Sequence, residues 1–288
     1  SAASDVYKRQ PFGLLGSDNF KKELSINIIF TVLIFLASYY LYVLTGDFLQ
    51  WTAFGIGVYV ICNWIHGLKN RDPVAFLLIF KSKALLLGLL SFPFITFVTY
   101  ALGAFGPSFY IRNFSMTATE VGIIYGLITV FGSMIGVICG GILGDKLRET
   151  YVNGKLYLIM ASAVLTGVTA IGFIHSENLV ASFTWKFVYH IASTAWLGCA
   201  ASTVTELVLP RLRAVASAFF ILMLSMIGLA LGPYLTGMVS DIYINSGLLP
   251  GPALKNAMTL TLLVLVLPFG LLTVCLLYTS PSPRDLVI

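Results

Sequence analysis

Long apolar stretches alternate with short polar breaks along almost the whole chain. Eight stand out: Leu24–Gly46, Phe48–Gly67, Ala84–Gly106, Thr119–Leu143, Leu156–Ile174, Leu179–Leu207, Ala214–Val239 and Ala257–Leu277. Each is near the ~20 residues that a helix needs to cross the hydrocarbon core. Lipid offers no partner for a backbone amide, so each stretch must satisfy its own by forming a helix. The predicted fold is therefore all-α and transmembrane. Composition agrees, since the chain is 58% hydrophobic and 10% charged, against roughly 25% charged in soluble domains. The net charge of +5 does not change this picture. The basic residues stand singly between apolar runs, with no stripe of interleaved aromatics, so the bilayer is the predicted partner and nucleic acid is not.

Within the apolar runs, glycine and proline add detail. Between Thr119 and Thr150, glycines fall at 122, 126, 132, 136, 140 and 144, and the cluster Asp145, Lys146, Arg148 and Glu149 follows. A four-residue glycine period leaves one bare seam on which a second helix can pack closely in lipid. Gly132, Gly136 and Gly140 are read as that seam. Gly228, Gly232 and Gly237 flank Pro233 on another run, and Pro93 interrupts a third; both prolines are expected to kink their helices. Kinked helices with glycine seams suit a bundle that rocks, although static packing would use the same residues. Cys62, Cys139, Cys199 and Cys275 all lie in apolar runs without CxxC or metal spacing and are read as buried apolar residues. No metal or cofactor is called for.

Charge sets the orientation. Lys21, Lys22, Lys69, Arg71, Lys81, Lys83, Lys146, Arg148, Lys155, Arg211 and Arg213 fall on one side by alternation, against Arg112 and Lys255 on the other. The positive-inside rule makes the first side cytoplasmic, with cytoplasmic loops at 67–83, 144–155 and 207–213 of a multi-pass protein of the cell (inner or plasma) membrane. The loop beginning at Lys69 is longer than the rest. Its Asp72-Pro73 reads as a helix start, and a short surface-lying amphipathic helix is expected there, connecting two helical bundles.

The motifs then carry a resemblance. Gly-Gly-x-Leu-Gly-Asp-Lys-x-Arg at 140–148 resembles motif A of the major facilitator superfamily, usually GxLaDrxGrr. Its elements here are Gly141, Gly144, Asp145, Lys146 and Arg148, with Arg148 standing where the motif has its second glycine. Thr205 to Asp241 (TELVLPRLRAVASAFFILMLSMIGLALGPYLTGMVSD) resembles the tenth-to-eleventh helix junction of Spinster-like members. Phe105–Gly122 resembles their exit from helix seven, and Gly46–Pro73 their sixth helix; Leu24–Gly46 lacks the glycine-proline pattern of helix five. The resemblance implies a partial major facilitator fold covering helices five to twelve of a twelve-helix transporter. Residues 11–68 would be the last two helices of the N-terminal bundle, 69–83 the linker, and 84–277 the complete C-terminal six-helix bundle. It also implies a secondary transporter working by rocking-bundle alternating access on a small organic or amphiphilic solute, anionic or lipid-like, with a proton or other ion as candidate coupling partner.

Two kinds of candidate residue follow. At the cytoplasmic junction, the cluster around Asp145 either latches the two halves, as the resemblance implies, or only anchors the topology; Glu206 with Arg211 and Arg213 forms a second junction open to both readings. Within the membrane, where ionisable groups are costly, Lys186 and His190 share one face of a helix, four residues apart. They are candidates for an anionic substrate group, with Tyr100, Tyr125, Thr129 and Ser225 as weaker cavity candidates. The alternatives are that Lys186 snorkels to the outer interface and that His190 is a hydrogen-bonded interior residue. Glu120 reads as a first-turn dipole partner. No P-loop, HExxH, Ser-His-Asp set or paired intramembrane carboxylates occur, so an enzyme is not predicted; a membrane-embedded enzyme or a non-transporting receptor or scaffold is the competing class.

Both ends look foreign. SAASDVYKRQ at 1–10 and the run CLLYTSPSPRD resemble translated sequencing-adaptor read-through. Non-native tails are therefore expected at 1–10 and 278–288, with genuine polar tails as the alternative. The chain is read as a piece of a longer protein that does not transport by itself.

Overall fold

The computed structural model describes residues 20–71 and 73–279. The predicted tail at 1–10, all but two residues of that at 278–288, and the Asp72 cap lie outside the described residues. Among those described, the regular structure is entirely helical, and the chain divides into two units at Ser82/Lys83.

The first unit is an antiparallel hairpin of α1 (Phe20–Thr45) and α2 (Phe48–Arg71), followed by the nine-residue α3 (Pro73–Lys81). The hairpin turns at Gly46, whose φ of +81° lies in the left-handed region open to glycine. Trp51 locks the turn, its Nε1 donating to Thr45 Oγ1 at 2.6 Å. The short α3 opens on Pro73, which suits a first helical position because no amide is wasted there.

The second unit contains α4 (Lys83–Phe114), α5 (Ala118–Thr150), α6 (Gly154–His175) and α7 (Leu179–Glu206). Two composite helices follow, α8 (Pro210–Asn245) and α9 (Pro250–Leu277). The apolar run that ended at Gly106 continues as helix through Pro107 to Phe114, and Pro93 also lies inside α4. In α8 a π-helical segment, Leu224–Leu229, precedes Pro233. A widened turn of this kind accommodates a helix interruption locally.

Eight apolar spans were expected; among the described residues seven helices are long and apolar enough to cross a membrane. The exception is α7, which has the length, 28 residues, but dilutes its apolar content with serine, threonine, tyrosine, lysine and histidine. It tolerates them because it packs most extensively on α5 and α6. The cysteines are corrected too: Cys199 and Cys275 are buried, but Cys62 is half-buried and Cys139 exposed.

The α5–α7 contact explains the glycine ladder. A Cβ at Gly132 would meet His190 and Phe187, at Gly136 Ile191 and Thr194, at Gly140 the Ala195 carbonyl, and at Gly144 the Cys199 sulfur. The matched numbering shows that the two helices run parallel with backbones nearly touching, as small-residue seams permit. Gly122 and Gly126 face open space. On α8, Gly228 fits against Thr96, Gly232 against the Phe97 backbone, and Gly237 near Phe105.

Candidate functional site

Two polar constellations occupy the second unit. The deeper is built on α7, whose first turn is fixed by Asn178 accepting from the Val180 and Ala181 amides at 2.8 and 3.4 Å. Two turns in, Lys186 has no exposed surface. Its Nζ has no hydrogen-bond partner among the described residues. Instead it sits over three rings, with centroids at 4.2 Å (Phe173), 4.4 Å (Tyr189) and 5.1 Å (Tyr125). Helices α5, α6 and α7 thus each place an aromatic face against one ammonium. Cation–π contacts are worth about 2 kcal/mol when desolvated, which offsets only part of the several kcal/mol needed to bury a charge.

His190, one turn along, bonds Thr129 Oγ1 through Nε2 at 3.1 Å. Its ring stands edge-on to Tyr125 and Tyr189, with centroids at 6.0 and 5.3 Å. Tyr125 donates to the Gly103 carbonyl at 3.2 Å, and its ring rests where a side chain at Gly106 would be. The structure therefore brings Lys186, His190, Tyr125 and Thr129 together. Tyr100 and Ser225 are exposed and do not join this cluster. The snorkelling alternative does not describe Lys186, which is sealed inside the bundle. Phe173 and Tyr189 complete the box; Tyr189 neighbours the pair in sequence, but Phe173, an aromatic in a separate apolar run, carried no signal to single it out.

The second constellation lies at the opposite end of the same helices. Gly154, whose Cβ would strike the Leu147 and Arg148 backbone, lets α6 start tight against the end of α5. That turn directs Lys155 inward, 8% exposed. Its Nζ donates to Glu206 Oε1 at 2.7 Å and Ser202 Oγ at 3.0 Å, and lies 3.7 Å from Asp145 Oδ1. Arg148 pairs with the other oxygen of Glu206. One carboxylate thus ties α5, α6 and α7 together, while the Asp145 side chain remains 76% exposed. A cleft of about 330 Å³ opens beside these groups, with Leu85, Phe92, Val204 and Cys275 on its apolar walls.

The expected partners differ from those found. Glu206 pairs with Arg148 and Lys155 rather than with Arg211 and Arg213, which form no ion pair among the described residues. Lys146 is exposed and forms no ion pair among the described residues, and Gly141 faces open space. Lys155 was read only as a topological charge. Its partners lie about fifty positions away, beyond the reach of local pattern. At the far end of α5, Thr117 and Glu120 form a reciprocal capping box, satisfying two otherwise orphaned amides.

No protein-family model matches the chain. In sequence it is 32% identical over 149 residues to an MFS-type efflux pump of Mycolicibacterium smegmatis, covering 51% of this chain and 34% of that protein. It is 26% identical over 173 residues to Protein spinster of Drosophila melanogaster, covering 56% and 28%. It is 25% identical over 177 residues to Protein spinster homolog 1 of Bos taurus, covering 56% and 33%. The chain thus spans about a third of the length of these relatives. In structure it matches a bacterial homolog of the human lysosomal transporter Spinster, in an inward-facing, unoccupied form. The TM-score is 0.63 at 21% identity, over 82% of this chain and 60% of that one. The occupied form matches with a TM-score of 0.62 at 22% identity.

Proposed function

From the premise that this chain is Spinster-like, with a partial major facilitator fold, we propose that it is part of a secondary transporter for a small organic or amphiphilic anion. The observation that carries this is the Lys186 amine: fully buried, boxed by aromatics and unpaired with any carboxylate among the described residues. Such a charge is costly unless a ligand supplies its anion. His190 and Thr129 would orient the polar part of that ligand, and the surrounding rings would take its apolar part. Transport itself is a property of a full-length parent, in which a second bundle completes the cavity and alternating access moves the solute; these 288 residues would not transport alone.

The ion cluster has a distinct place in this reading. With Arg148 and Lys155 engaged by Glu206, the three helix ends form one rigid edge, and the exposed Asp145 is the group left to pair with the other bundle. It would hold the cytoplasmic side shut in one state and release it in the other, on the orientation set by the basic residues. The test is ligand binding and uptake by the full-length parent. Lys186→Ala combined with His190→Ala should weaken binding of an anionic solute while leaving membrane insertion intact. Unaltered affinity would sink the assignment.

A further inference from the structure

The first unit carries a polar cluster that the transport reading does not use. At the end of the hairpin away from Gly46, Glu23 is 7% exposed. Its carboxylate meets His66 Nε2 at 2.5 Å and accepts from Asn70 Nδ2 at 3.1 Å, so this acid is engaged from α2. The two lysines beside it are not. Lys22 and Lys69 are exposed and pair with no carboxylate among the described residues; Lys69 only approaches the Phe76 ring, at 5.9 Å. Lys22, Lys69, His66, Asn70 and the engaged Glu23 rim a cavity of about 430 Å³ whose apolar wall is Ile26, Ile29 and Phe30.

We propose that this cavity holds the headgroup of an anionic phospholipid, its phosphate between Lys22 and Lys69 and its first acyl carbons on Ile26, Ile29 and Phe30. Two observations select a lipid over a soluble anion. The cations stand at the ends of two membrane-length helices, where a headgroup layer would lie. The apolar wall continues from the cavity along α1 through exposed Leu33 and Leu36, a path for an acyl chain and useless to a free phosphate. Among the described residues, Glu23 is the one carboxylate lining the cavity, and it is turned onto His66 and Asn70 of α2 rather than onto either lysine. In the orientation proposed above, the lipid belongs to the cytoplasmic leaflet.

The experiment is native mass spectrometry of the full chain, purified in detergent with equal phosphatidylglycerol and phosphatidylcholine. Phosphatidylglycerol should be retained preferentially, and each of Lys22→Gln and Lys69→Gln should cut that preference about fivefold. The double variant should erase it, whereas Lys146→Gln in the second unit should leave it unchanged. Equal retention of the two lipids, or a preference that survives the double variant, overturns the proposal. Displacement of the lipid by millimolar inorganic phosphate would assign the cavity to a soluble anion and also overturn it. None of these readouts depends on transport, so this proposal and the Lys186 assignment fail separately.

Discussion

Two lysines are buried in the second unit, and their surroundings are opposite. Lys155 reaches a carboxylate and a hydroxyl directly, with a second carboxylate nearby; its charge is matched where it stands. Lys186 is more deeply buried, and its Nζ sits over ring faces with no hydrogen-bond partner among the described residues. The difference separates two uses of the same residue. A lysine with its counter-ion in place joins helices, whereas a lysine boxed by rings without a counter-ion is buried at a cost that the rings offset only in part. The first fits a fixed contact at one end of the bundle, the second the binding role proposed above for its middle.

Replacing Lys186 with methionine breaks the comparison most sharply. The apolar isostere should raise the thermal stability of the detergent-solubilised chain, by about 1–3 kcal/mol, because an uncompensated buried charge is removed. In the full-length parent the same change should weaken anion binding by tenfold or more, at about 1.4 kcal/mol per decade. A loss of stability instead would mean that the rings alone satisfy the amine. Glu206→Gln should act in the reverse sense. It strips the main partner from Lys155 and Arg148, and with Glu206 38% exposed the expected loss is about 2 kcal/mol in the same melt. An unmoved transition would show that the helix ends do not depend on this carboxylate.

The seam between α5 and α7 gives a steric counterpart. Gly140→Ala drives a methyl into the Ala195 carbonyl and should cost about 1–2 kcal/mol. Gly141→Ala, one residue away with nothing within 4 Å, should be neutral or slightly stabilising. Equal effects would dissolve the seam as an explanation. The smallest effect is expected of Asp145→Asn. Its exposed carboxylate should contribute under ~1 kcal/mol to stability, yet the variant should slow transport in the parent, and unchanged uptake kinetics would remove its gating role.

Apolar runs made the helices legible, since lipid leaves the backbone little choice. The four-residue glycine spacing marked which face of α5 was bare, but not which helix fills it. What stayed hidden depends on distant pairing. Glu206 lies near Arg211 and Arg213 in sequence, so proximity suggested that junction, and only the close packing of three helix ends delivers Arg148 and Lys155 instead. Likewise Glu23 and His66 are forty-three positions apart and draw no attention until the hairpin closes. Lys186 could be flagged as an ionisable residue in an apolar run; whether it reached outward or inward depended on ring faces from α5 and α6. Pro233 announced an interruption in α8, but not that a π-helical segment at Leu224–Leu229 would precede it.

The bare glycine face also bears on how the molecule comes apart. Because α5 touches α7 through backbone, with α6 covering both, none of the three can loosen without exposing the others' amides. They should therefore open as one cooperative unit, with amide hydrogens along all three exchanging at a common, slow rate. The hairpin of α1 and α2, whose first helix buries little of its surface, should exchange earlier and independently.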